Sequence, residues 1–244
     1  MLLLSVADYI KRREQYSYND PDVDFIILQT GTLPFVGKFQ GIYPANIPPR
    51  YGHGINLRKF EIICQTVFLD CSHAISNAQW TRAHLENIKH VTCTIVHWKM
   101  SSQGGRAGLK TTNVLSKWGN DTHKLLIDAY NEKSLKAFKI GGVRIPTATA
   151  FLRFLYPEEF GIMDSRVAGN YTNPQSITHL SLREDGYITD VKKNMTEYNE
   201  NYVSFLKREA GQLNAQGATY SDIDQNDNKI KSKFRPCDVE MALF

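Results

Sequence analysis

The stretch of this 244-residue chain that carries chemistry runs from Lys139 to Val167. Lys139-Ile-Gly-Gly-Val-Arg-Ile-Pro-Thr-Ala-Thr-Ala-Phe-Leu152 reads as the end of one helix, a tight glycine turn and a second helix closed by Pro157. Phe160-Gly-Ile-Met-Asp164-Ser-Arg-Val167 follows and places Asp164 at the start of a further helix. Backbone N–H groups at such a turn, joined by a helix N-terminus, suit an anion and in particular a phosphate. A fixed carboxylate suits two tasks: stabilising a developing cation, and orienting or deprotonating a water. Each part alone is ordinary, because an Asp at a helix start is a common N-cap and Gly-Gly a common helix stop. Their joint order and spacing set them apart.

That order resembles the helix-hairpin-helix DNA glycosylase superfamily, which includes adenine-specific MutY-like and 8-oxoguanine-specific enzymes. In the MutY-like pattern a Gly-Val-Gly hairpin is followed by a Thr-Ala pair, then by the catalytic Asp at a fixed distance. Here Gly142-Val143 stands in the hairpin, Thr147-Ala148 forms the pair, and Asp164 falls at the family's distance without a gap. The terminal Asp238-Val-Glu-Met-Ala-Leu-Phe244 is similar to the last helix of 8-oxoguanine glycosylases, where a Gln and a following Phe hold the base. The corresponding positions are Glu240 and Phe244. The specific match covers about residues 135–170. Three departures stand out. Arg144 replaces the hairpin's second glycine, which would put a non-glycine in a left-handed conformation at about 1 kcal/mol. Pro146 removes a backbone donor and occupies the position of the Schiff-base Lys of bifunctional members. No iron–sulfur ligands follow.

The resemblance implies an all-α helix-hairpin-helix glycosylase-like fold, mostly α with a minor strand element. It implies double-stranded DNA as partner, no cofactor and no metal. Gly142, Val143, Arg144, Thr147 and Arg166 would contact DNA, Asp164 would be catalytic, and Glu240 and Phe244 would line a base pocket. The target nucleotide must leave the stack before its glycosidic bond is reachable. Cleaving that bond puts positive charge on the sugar, which Asp164 would stabilise. Without the family's Lys, monofunctional base excision is expected. Two other readings stay open: a catalytically silent helix-hairpin-helix DNA-binding protein, and an all-α protein–protein interaction domain whose glycine turn is coincidental.

The elements that must position these residues are helical by period. Helices are expected over about residues 4–17, from Asn56 through Phe68, and along Trp80, His84, Ile88, Val91, Ile95 and Trp98. Further helices are marked by Leu125 to Tyr130, by Leu135 to Ile140, by Ala148 to Leu155 and by Tyr198 to Leu213. Pro236 suits the first turn of a last helix, Cys237 to Phe244. Asn214 to Lys233 is polar and reads as a surface loop. Residues 19–55, rich in Gly, Pro and aromatic side chains, read as a strap over the core. The whole reads as a single glycosylase-like unit, 1–244, with a division into lobes of about 56–118 and 119–244 as the variant.

Composition bounds the rest. A hydrophobic fraction of 42% and a charged fraction of 22% exclude wholesale disorder. No apolar run approaches the roughly 18 residues of a membrane span. The Lys11-Arg12-Arg13 cluster follows the apolar start rather than preceding it, unlike a secretory signal. A soluble, untargeted, cytoplasmic protein is expected. Net charge +4 permits nucleic-acid binding without demanding it. Cys64, Cys71, Cys93 and Cys237 show no metal-ligand spacing and read as small buried hydrophobes. His84 and Trp98 read as core, and Lys11-Arg-Arg13 as a solvated face.

Overall fold

Ser5 opens the first helix, α1 (Val6–Glu14), by accepting the Asp8 N–H at 3.1 Å. Asn56 does the same for α2 (Leu57–Ser76), taking the Lys59 N–H at 2.8 Å. Then come α3 (Arg82–Met100), α4 (Thr122–Asn131), a 3-10 turn (Leu135–Lys139), α5 (Ile145–Leu155) and α6 (Ser165–Asn170). α7 (Lys192–Glu197) runs through a π-helical turn (Tyr198–Tyr202) into α8 (Val203–Ala215), and α9 (Pro236–Leu243) ends the chain with proline in its first turn. The fold is mostly α. Two short antiparallel pairs join the helices: β1 (Asp22–Val23) with β2 (Ile55–Asn56), and β3 (Thr219–Ile223) with β4 (Lys229–Lys233).

This computed structural model describes residues 2–16, 22–23, 55–100, 110, 113–114, 116–119, 121–170, 180–184 and 186–244. The strap expected over 19–55 therefore lies almost wholly outside the described residues. Its ends meet, since Asp22 pairs with Asn56 and Val23 with Ile55. No described helix is long and apolar enough to cross a membrane.

The chain divides into two units, Met1–Ser17 with Arg144–Phe244, and Tyr18–Val143. In the second of these, Phe60, Ile63, Cys64, Val67 and Phe68 of α2 are buried, as are Ile88, Val91, Ile95 and Trp98 of α3. Trp80 departs from the expected stripe: it precedes α3 and is 54% exposed. All four cysteines are buried and none forms a disulfide, and burial pushes the Cys93 thiol up to about 12.

The first unit packs α1, α5, the α7–α8 run, α9 and the β3–β4 ribbon around Phe151, Phe154, Phe205, Leu206 and Val239. The surface loop expected over 214–233 is not found. α8 continues to Ala215 and the rest forms β3 and β4, whose alternation is short and mostly polar, so only Tyr220 among the strand residues is buried. A buried carboxylate ties the chain's ends together. Asp238, fully buried, accepts from Arg235 Nε at 2.8 Å and from Arg13 Nε and Nη2, each at 3.2 Å. Glu209 on α8, also fully buried, accepts the Tyr9 hydroxyl at 2.8 Å and the Leu3 N–H at 2.7 Å.

Asp238→Ala should destabilise the protein by about 3–5 kcal/mol, the cost of stranding buried guanidinium charges, in urea denaturation followed by circular dichroism. A thiol reagent at pH 8 should label none of the cysteines in the native protein on a minutes timescale and all of them in denaturant. Fast native labelling of Cys93 would contradict its burial.

Candidate functional site

Asp164 sits just ahead of α6, and its Oδ1 accepts the N–H groups of Arg166 at 3.0 Å and Val167 at 3.1 Å. The sequence expectation of an Asp at a helix start is met, and the side chain performs the capping role. Asp164 is 7% exposed. The segment leading to it is stitched from both flanks. Thr149 Oγ1 of α5 accepts the Met163 N–H at 3.1 Å, the Tyr198 hydroxyl donates to the Gly161 carbonyl at 3.0 Å, and the Tyr202 hydroxyl donates to the Ile162 carbonyl at 2.7 Å. Gly161, Ile162 and Met163 are buried, so these bonds satisfy backbone groups that water does not reach. Both tyrosines lie in the π-helical turn, which departs from the regular ladder where they meet this segment. Burial, reinforced by the Glu240 carboxylate, pushes the Tyr198 hydroxyl well above its ordinary value and keeps it a proton donor.

The fold brings four sequence-selected residues of this unit to the same region. Glu240 is buried, and its Cβ would lie 2.7 Å from a Cβ built on Gly161. That close approach, with Leu206 Cδ1 at 2.6 Å, is why position 161 holds a glycine. The Arg166 guanidinium lies over the Phe244 ring, 4.9 Å from its centre, and Tyr16 meets the same ring edge-on at 5.8 Å. Arg166 and Phe244 are thus partners of one another rather than separate features, and Asp164 caps the helix that carries Arg166.

The hairpin is a helical turn, a tight turn and a helix, as the sequence implied. Gly142 takes φ +93° within a turn closed by the Val143 N–H on the Ile140 carbonyl at 3.0 Å. Arg144 has φ −112°, so the left-handed strain expected for it is absent, and Gly142 alone supplies the positive φ. On the glycine side of the turn, a Cβ at Gly141 would meet Lys117 Cδ at 2.7 Å, and one at Gly142 would meet Asn113 and Val114 at 3.3 Å. On the other side the Arg144 side chain, 66% exposed, donates to Asp190 Oδ2 at 2.7 Å. Asp190 Oδ1 accepts the Ile145 N–H at 3.0 Å. The N–H groups of Val143, Ile145 and Thr147 are therefore all engaged within the protein, and Pro146 has none. Val143 and Thr147 are buried, leaving Arg144 as the solvent-facing side chain among the hairpin residues selected from sequence.

Sequence reasoning missed Asp190, Thr149 and the hydroxyls of Tyr198 and Tyr202 as positioning groups. The two tyrosines were legible as a helical stripe, but the destination of their hydroxyls was not. Asp190 lies 46 residues beyond Arg144 with no local signal. No group of His, Cys, Asp and Glu among the described residues could hold a metal ion.

Gly161→Ala should cost about 1–3 kcal/mol by overpacking against Leu206 and Glu240, read as a lower denaturation midpoint with an unchanged slope. Gly142→Ala should cost about 1 kcal/mol for its positive φ. In comparisons with protein-family models, curated proteins and solved structures, the chain matches none.

Proposed function

We propose that this chain is a helix-hairpin-helix DNA glycosylase that hydrolyses the N-glycosidic bond of a damaged or modified base without strand cleavage. The observation that carries the reading is Asp164: a carboxylate at a helix N-terminus, on a segment fixed by Thr149, Tyr198 and Tyr202, following a helix, a glycine turn and a second helix in the family's order. Glu240 and Phe244, proposed to contact the base, lie in the same unit.

The chemistry follows from the bond to be broken. The base departs with the glycosidic electron pair and takes up a proton, leaving positive charge on the deoxyribose. A carboxylate fixed beside the anomeric carbon lowers the energy of that cation without reorganising. A water then adds its oxygen to the anomeric carbon and loses a proton, to Asp164 or to solvent, giving an abasic site. Arg144 is proposed to meet a DNA phosphate, which requires exchange of its Asp190 partner, and Arg166 to sit near the flipped nucleotide.

A second reading has its own support. Asp164 Oδ1 already caps α6, and Asp190 already occupies the N-terminus of α5. A DNA-binding protein without base excision would need nothing more from either carboxylate.

Incubating the protein with lesion-bearing duplexes, then with alkali to reveal abasic sites, decides between the two. Asp164→Asn keeps the size and most of the capping while removing the charge. On the glycosylase reading the variant binds duplex DNA like wild type and loses at least about a hundredfold in base release. Release at an unchanged rate would remove Asp164 from the chemistry, and salt-sensitive binding with no release on any lesion would favour the silent protein. Borohydride should trap no covalent adduct, because Pro146 holds the place of the family's Lys. A trapped adduct mapping to Lys136 or Lys139 would overturn the monofunctional assignment.

A further inference from the structure

The β3–β4 ribbon has two chemically distinct faces. Residues paired across an antiparallel ladder share a face, so Thr219 with Lys233, Ser221 with Lys231, and Ile223 with Lys229 form one side. Tyr220 with Ser232 and Asp222 with Ile230 form the other. That second side turns to the body of its unit. Tyr220 is buried beneath the Arg13 guanidinium, 4.5 Å from the ring centre, and packs on Phe234, while Asp222 lies 3.8 Å from Arg13. On the first side all six residues are exposed. Every basic residue of the ribbon is there and none of its acids is.

We propose that this outward face is a docking surface for the phosphate backbone of duplex DNA. The inference rests on the reading of DNA as partner but not on base excision. The spacing carries it: alternate residues of a strand stand about 6.7 Å apart, so Lys229, Lys231 and Lys233 present three positive charges over about 13 Å. One strand of B-DNA carries a phosphate for about every 3.4 Å of its axis, so the row spans roughly four of them. Across the ladder, Thr219 and Ser221 add hydroxyl donors beside two of the lysines, and Lys231 Nζ lies 2.8 Å from Ser221 Oγ. Paired ammonium and hydroxyl donors suit phosphate oxygens.

The nearby acids are accounted for. Glu14, 3.8 Å from Lys231, accepts the Ser221 N–H at 2.7 Å and is bonded by the Ser221 and Lys231 side chains as well, so a phosphate at the central lysine displaces it. Asp224 in the connecting turn accepts the N–H groups of Asn226 and Asn228 and the Asn228 side chain. Asp227 is in the same turn, beyond the end of the lysine row. A membrane is a poorer fit, since Ile223 is the sole apolar side chain of the face and no aromatic accompanies it.

The test compares wild type, a variant with Lys229→Gln, Lys231→Gln and Lys233→Gln, and a control with Lys124→Gln, Lys133→Gln and Lys207→Gln that loses the same charge elsewhere. Binding to an undamaged duplex is measured against salt concentration. The ribbon variant should bind at least about tenfold more weakly than the control at low salt, and its salt slope should fall by about 2 to 3. Equal affinity and slope for variant and control would overturn the ribbon proposal while leaving DNA binding intact. Absence of wild-type duplex binding, or binding to phosphatidylserine vesicles in its place, would overturn both. Acetylation of wild-type lysines with and without saturating duplex gives a readout that needs no variant. Lys229, Lys231 and Lys233 should be protected by DNA, and unchanged reactivity there would also overturn the proposal.

Discussion

The Asp238 carboxylate, enclosed by the guanidinium groups of Arg13 and Arg235, is the contact on which the described unit most depends. Arg13 belongs to α1 near the start of the chain and Arg235 to the approach to α9 at its end, so one buried anion closes the chain onto itself. Its value is asymmetric. Replacing the whole cluster with packed apolar groups could cost nothing, but removing one partner strands charge where water does not reach it. Geometry is what the cluster contributes. It sets where α9 lies, and α9 carries Glu240 against Gly161 and leads into Phe244 under Arg166. Glu209, with Tyr9 and the Leu3 N–H, fixes the same N-terminal stretch a second time.

The Asp164 segment shows how a short irregular stretch can be buried. Irregular backbone ordinarily stays at the surface because its N–H and C=O groups need partners. Here the side chains of Thr149, Tyr198 and Tyr202 provide them, and the segment runs without regular structure between α5 and α6. The carboxylate at its end is held by the two N–H groups that it caps. Capping and electrostatic stabilisation are compatible uses of one group, because a cap fixes the orientation of the carboxylate and leaves its charge in place.

The glycine turn carries a similar double constraint. Its phosphate-binding potential rests on backbone donors, yet Asp190 already satisfies the Ile145 N–H and the Arg144 guanidinium. An internal carboxylate in that place stabilises the free protein and competes with any external anion. Groups that are still solvated remain open to such an anion, and the ribbon lysines are exposed.

Helix-forming stripes were legible because burial on one side imposes the helical period directly on the sequence. Ile88, Val91, Ile95 and Trp98 face the core as that period requires, and Pro236 begins the last helix as its missing N–H allows. The glycine turn and the Asp164 cap were legible for the same reason, since each is decided within a few residues. Trp80 shows the limit: it continues the spacing of the stripe but lies ahead of the helix, and spacing alone does not say where a helix starts. The β3–β4 ribbon was missed because a two-stranded pair with one buried side chain leaves almost no hydrophobic alternation to read. Contacts between residues far apart in sequence belong to the tertiary structure alone. Asp238 with Arg13, Asp190 with Arg144, Tyr202 with Ile162 and Arg166 with Phe244 have no signature in local pattern, because a hydrogen bond or an ion pair fixes distance in space and leaves separation along the chain free.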